Sequence, residues 1–110
     1  MLTETTALYL DAIASGVTRC RKLARALDVA PTTVTVTLRR LTRYGLAVYR
    51  DGEATLTPAG SEAVWALRQT VSTLSKTLGD LGLSAEKARA QAWRWAATTD
   101  PETTAALALC

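Results

Sequence analysis

The sequence predicts a mainly α fold of three helices, a two-stranded hairpin and three further helices, and three observations predict it. Apolar residues recur every three or four positions along most of the chain, which marks amphipathic helices. Two short β-type runs flank Asp51-Gly52, a dipeptide suited to the tight turn of a hairpin. The break at residues 28–31, between the second and third helical patterns, has the length of a helix-turn-helix connection.

The elements follow in order. Residues 5–14 read as a short helix, with Leu10 to Ala14 and Tyr9 to Ile13 at helical spacing, stopped by Ser15-Gly16. A second helix spans residues 21–27, with Leu23, Ala24 and Leu27 on one face and Arg21, Lys22 and Arg25 mostly on the other. Pro31 suits a first helical position, where its missing N–H has no helical partner to lose. The third helix covers residues 32–44 on the narrow apolar stripe of Val34, Leu38 and Leu41, and Gly45 ends it as a left-handed cap. Its threonines and valines are poor helix formers, so tertiary packing must hold it. Residues 46–49 and 54–56 form a wing with its tip at residues 50–53. Thr57-Pro58 opens the longest helix, whose apolar face runs through Ala63, Val64, Ala66, Leu67, Val71, Leu74 and Leu78 to Gly79. Ser84 caps a helix over residues 85–97, and Asp100-Pro101 starts a last one towards Leu109. Three helices followed by a hairpin is the winged helix-turn-helix arrangement.

Composition narrows the function classes. A chain of 110 residues with 48% hydrophobic residues suits one folded domain. It has no apolar run of about 18 residues and no basic start leading into an apolar stretch, so a cytoplasmic location, with no membrane partner, is expected. Histidine is absent, there is no glycine-rich phosphate loop and no nucleophile beside a base, so an enzyme is not expected. Cys20 and Cys110 have neither metal-ligand spacing nor the look of a disulfide framework. Cys20 reads as a small buried apolar residue, with a redox role for either thiol as the open alternative.

The net charge of +3 matters less than where it lies. Arg19, Arg21, Lys22, Arg25, Arg39, Arg40, Arg43 and Arg50 stand against one acid, Asp28, so residues 19–50 carry +7, while residues 61–110 are neutral. A basic segment beside a neutral one points to a polyanion. The third helix of such a fold enters the major groove of double-stranded DNA. Thr32, Thr33 and Thr35 offer hydroxyls to phosphate or base, and Val36 and the threonine methyls can touch thymine methyl groups. Arg39, Arg40 and Arg43, with Arg50 on the wing, can meet phosphates, which raises affinity without base preference. The helix N-terminus also favours a phosphate. Thr35 and Val36 are expected to set base preference. The alternative is a winged helix that serves as a protein-interaction module and modulates another regulator.

Several segments resemble the diphtheria toxin repressor and manganese transport regulator family of winged-helix transcriptional regulators. They are Leu23-Ala24-Arg25-Ala26-Leu27-Asp28-Val29, Pro31-Thr32-Thr33-Val34-Thr35, Leu41-Thr42-Arg43-Tyr44-Gly45-Leu46 and Leu56-Thr57-Pro58-Ala59-Gly60. The most specific is Gln91-Ala92-Trp93-Arg94-Trp95-Ala96-Ala97. The resemblance covers about residues 5–100 and implies a DNA-binding domain at residues 1–60, a helical dimerisation region at 61–110 and a homodimer, with no counterpart of the third domain of longer members. In that region Trp65, Trp93 and Trp95 are expected in the core or the dimer interface, a pocket for an unknown small-molecule effector being the other reading.

The resemblance also places metal ligands at the positions of Trp93, Ala96 and Ala97 and, on the long helix, at Val71. None of these side chains can coordinate an ion. Asp11 matches an acidic ligand or is an ordinary surface acid. The expectation is a divergent member without metal or other cofactor, in which packing in place of a metal holds the first helix against the dimerisation region. It would bind a roughly palindromic site with half-sites about one helical turn, or a multiple, apart, with repression as the expected mode.

Overall fold

The computed structural model describes residues 3–99 and 101–108. Its elements are α1 (Glu4–Ala14), α2 (Cys20–Leu27), α3 (Pro31–Arg43), β1 (Ala47–Arg50), β2 (Glu53–Leu56), α4 (Pro58–Asp80), α5 (Ala85–Ala96) and α6 (Pro101–Ala108). This is the order expected from the sequence, a mainly α winged helix-turn-helix with helices after it. The expected cap at Asp100 and the Cys110 thiol lie outside the described residues. The chain divides into two compact units, Thr5–Val64 and one made of the residues up to Glu4 with those from Trp65 onwards, and the second division falls inside α4.

In the first unit, α1 buries Ala7, Tyr9, Leu10 and Ile13 and stops at Gly16, whose φ of 100° suits a residue without a Cβ. Helix α2 buries Leu23 and Ala24 and keeps Arg21, Lys22 and Arg25 exposed. It ends at Asp28 in the left-handed region (φ 53°, ψ 53°), which aspartate tolerates better than most residues. Cys20 opens α2 and is half-buried instead of buried, with its Sγ 3.7 Å from the Pro31 carbonyl oxygen and 3.9 Å from Thr35 Oγ1.

Helix α3 overcomes its poor propensity in two ways. Val34, Leu38 and Leu41 are fully buried, each worth up to about 1.5–3 kcal/mol, against a propensity deficit of at most about 0.7 kcal/mol per β-branched residue. The hydroxyls of Thr35, Thr37 and Thr42 donate to the carbonyls of Pro31, Thr33 and Leu38 at 3.2, 3.0 and 2.9 Å. These bonds satisfy the threonines inside the helix, where they would otherwise favour turn geometry.

Strands β1 and β2 pair antiparallel, with Ala47 opposite Leu56 and Arg50 opposite Glu53. Arg50 and Glu53 are therefore ladder residues, and the tip is shorter than the four residues expected. Only Asp51 (φ 54°) and Gly52 (φ 75°) form it, both at positive φ as a type I′ turn demands. The outer edge of β2 is covered by the approach to α2. Ala54 N donates to the Thr18 carbonyl at 2.8 Å, Cys20 N donates to the Gly52 carbonyl at 3.2 Å, and Arg19 bridges to Glu53.

The exit from α3 and the return from the wing meet at one junction. Leu46 N donates to the Leu41 carbonyl and Gly45 N to the Thr42 carbonyl, both at 3.0 Å. With Gly45 at φ 74°, this is a Schellman ending. Thr57 N donates to the Leu46 carbonyl at 3.1 Å, and Thr57 Oγ1 donates to the Gly45 carbonyl at 2.6 Å while accepting from Gly60 N at 3.0 Å. Gly60 lies so close to the Leu46 carbonyl that a Cβ there would overlap its oxygen and stand 2.9 Å from its carbon. Two residues of the Leu-Thr-Pro-Ala-Gly step thus join the wing to α3 as well as start α4.

In the second unit, α4 buries Leu67, Val71 and Leu74, and α5 buries Ala88, Ala92, Trp93 and Ala96. Ser84 caps α5 by accepting from Lys87 N at 3.3 Å, as its sequence position suggested. No helix among the described residues is long and apolar enough to cross a membrane.

Gly60→Ala forces a methyl group onto a backbone carbonyl, and such overpacking is expected to cost about 1–3 kcal/mol. Thr57→Ala removes a cap and a cross-link and is expected to cost about 1 kcal/mol. Urea unfolding of the single and double variants checks both, and a double variant that loses less than the sum would show that the two residues share one junction.

Candidate nucleic-acid interface

Helix periodicity of about 100° per residue sorts the residues of α3 into faces. Thr32, Val36, Arg39 and Arg43 fall within about 60° of one another, opposite the buried stripe. All four are exposed, Val36 at 55%. Thr33 and Arg40 occupy one shoulder, both exposed, and Thr35 and Thr42 the other. Thr35 is half-buried beside Cys20 with its hydroxyl donated to Pro31. The helix begins with Pro31 at its first position after Ala30, an N-cap without a side-chain hydrogen bond. No acidic residue lies anywhere on α3.

Arg50 is exposed at the end of β1, across from Glu53. The Glu53 carboxylate accepts from Thr18 Oγ1 at 3.2 Å. The structure thus brings the outward stripe of α3 into one surface and sets Arg50 apart on the wing, at the end of β1. It also adds two residues that the sequence reading missed. A concavity of about 650 Å³ is lined by Val36, Arg39, Thr42, Arg43 and Tyr49. Tyr49 could have been found from strand alternation, which puts it on the face of buried Ala47 and away from exposed Val48.

In the second unit, the tryptophans separate. Trp93 is buried at 9% exposure, whereas Trp65 and Trp95 are exposed at 68% and 46%. Val71 and Ala96 are buried and Ala97 is half-buried. Aliphatic side chains have no lone pair to donate, and an indole offers only an N–H. These positions therefore do not fit a metal ion. Among the described residues no group of three or more His, Cys, Asp or Glu could hold one.

Comparison with known proteins agrees with the fold. The family model for the iron dependent repressor, N-terminal DNA binding domain, matches residues 1–54. A hypothetical protein from Sulfolobus solfataricus superposes with a TM-score of 0.74 at 18% identity, over 96% of this chain and 86% of that one. A manganese-dependent transcriptional repressor in complex with manganese superposes with a TM-score of 0.76 at 21% identity, over 94% of this chain and 51% of that one. IdeR of T. acidophilum gives 0.70 at 15% identity, over 97% of this chain and 52% of that one. The chain spans about half the length of these two. No curated protein matches.

Val36→Ala is expected to relax preference at a single base pair, by up to about 1–3 kcal/mol. Arg40→Ala is expected to weaken binding to all sequences alike. Competition mobility shifts with single-base variants of a bound site separate the two patterns, and base-selective loss in Arg40→Ala would reverse the assignment.

Proposed function

We propose that the chain, whose residues 1–54 match the model of the iron dependent repressor, N-terminal DNA binding domain, is a sequence-specific, double-stranded-DNA-binding transcriptional regulator that represses as a homodimer without metal activation. The observation that carries this reading is the outward stripe of α3, Thr32, Val36, Arg39 and Arg43, exposed and free of acidic neighbours on its helix. A cationic helix face of this kind meets phosphates, while Val36 offers the apolar contact that thymine methyl groups take. A manganese-dependent transcriptional repressor is among the structures that share this fold.

Dimerisation is supported by Trp65 and Trp95, two large exposed aromatic side chains of the kind enriched at interfaces. Buried Trp93 serves the core of its own chain in this reading. Metal independence is supported by Val71, Trp93, Ala96 and Ala97, which offer no ligand at the positions where the resemblance implies one. Such a regulator acts in the cytoplasm and needs no cofactor.

Selection of bound sequences from random duplex DNA, run with and without a chelator, tests the reading. The expected outcome is one site of two-fold symmetry, with half-sites about one helical turn or a multiple apart, recovered in both arms. Recovery only without chelator would contradict metal independence, an asymmetric single half-site would contradict the dimer, and no enrichment in either arm would favour an interaction module.

A further inference from the structure

We propose that the concavity between α3 and the wing seats one backbone phosphate of the bound DNA, and that Tyr49 is a DNA-contacting residue acting with Arg39 and Arg43. The inference rests on the DNA-binding reading and deepens it, adding Tyr49 and a defined phosphate position to a face of α3 that the reading already turns towards DNA. Arg39 and Arg43 are four residues apart, so their side chains emerge from neighbouring turns of the same face. Two guanidinium groups so placed repel each other, and α3 carries no acid to offset them. An anion between them removes that repulsion and accepts from both.

The other lining residues select the kind of anion. Tyr49 is half-buried on β1, next to the ladder pair that it makes with buried Ala54. Its ring is held by the wing, and its hydroxyl is a donor that costs little conformational freedom to order. Thr42 already donates its hydroxyl proton to Leu38, which leaves it only acceptor capacity. The cationic and phenolic donors therefore supply the binding, and Val36 supplies an apolar wall. A cationic pair with a phenol and an apolar wall suits a sugar-phosphate unit of DNA, which is anionic at one end and largely apolar along the deoxyribose. The site is a feature of the exposed face of α3, where a duplex lying along the helix would run past it, so the occupant is a DNA strand.

The experiment uses the full chain and a duplex obtained by selection, with single neutral methylphosphonate linkages placed in turn through one half-site. Affinities are measured for the native chain, Tyr49→Phe and Arg39→Ala, with circular dichroism and thermal unfolding confirming that the variants fold. One linkage is expected to weaken the native chain roughly tenfold. Tyr49→Phe is expected to lose about three- to tenfold on the unmodified duplex, equally for all base variants, and to be insensitive, or much less sensitive, at that one linkage. Inorganic phosphate alone, at the same ionic strength as chloride, is expected not to compete. Tyr49→Phe binding like the native chain, or losing as much as the native chain at every linkage, would overturn the assignment, as would a loss confined to one base pair or strong competition by phosphate. Absence of any DNA binding by the native chain would instead overturn the functional reading, and this assignment with it.

Discussion

The carbonyl group of Leu46 stands where α3 ends, the wing begins and the long fourth helix starts. It accepts from Thr57 N, and Gly60 packs directly against it. One residue earlier, the Gly45 carbonyl accepts the hydroxyl of Thr57, which itself accepts from Gly60 N. Polar groups that would be left bare at the end of one helix and the beginning of another thus satisfy each other. The direction of β1 relative to α3 depends on this junction, because only Tyr44, Gly45 and Leu46 separate the two elements. The wing is also tied at its far side, through Thr18 and Cys20, to the start of α2. A hairpin of two short strands has little stability by itself. Anchored at both sides, it becomes a fixed wall beside α3.

That wall turns an exposed helix into a shaped surface. The buried stripe of Val34, Thr37, Leu38 and Leu41 leaves α3 only one orientation, which turns Thr32, Val36, Arg39 and Arg43 outwards. The four carry one hydroxyl, one apolar side chain and two cations, a set that can follow a phosphate backbone and still touch base edges. Tyr49 then bounds one side of the same surface. The charge is therefore concentrated on a face whose shape is set by the core and by the Leu46 junction.

Most of the fold was legible because its signals are local. The Asp51-Gly52 turn, Pro31 at a helix start, Gly45 at a helix end and the cap at Ser84 each act within a few residues. The stripe of Val34, Leu38 and Leu41 needed only helical spacing. What escaped depends on contacts across the chain. Arg50 joins the ladder because Glu53 pairs with it, and that register is set by the two-residue turn and not by Arg50 itself. Cys20 is half-buried, with its sulfur beside Pro31 and Thr35 of the next helix, contacts that its own segment does not disclose. Thr35 has the composition of a base-reading residue, yet its hydroxyl turns back to Pro31. The concavity combines residues from a helix and a strand, so neither pattern alone discloses Tyr49. The resemblance to metal-controlled regulators was legible too, and so was its limit, since Val71, Trp93, Ala96 and Ala97 lack donor atoms wherever they are placed.

On the proposed reading, α3, held by packing and backbone hydrogen bonds, should need no metal to meet DNA, and its affinity should be governed by phosphates. The most direct measurement is the dissociation constant of the full chain for a selected duplex, in chelator, between about 50 and 200 mM salt. The structure predicts tight binding at low salt and a logarithmic slope of about −0.9 for each phosphate neutralised, steep enough to lose roughly a thousandfold if six or more are engaged. Affinity indifferent to salt, or affinity that emerges only when manganese or iron is restored, would contradict it.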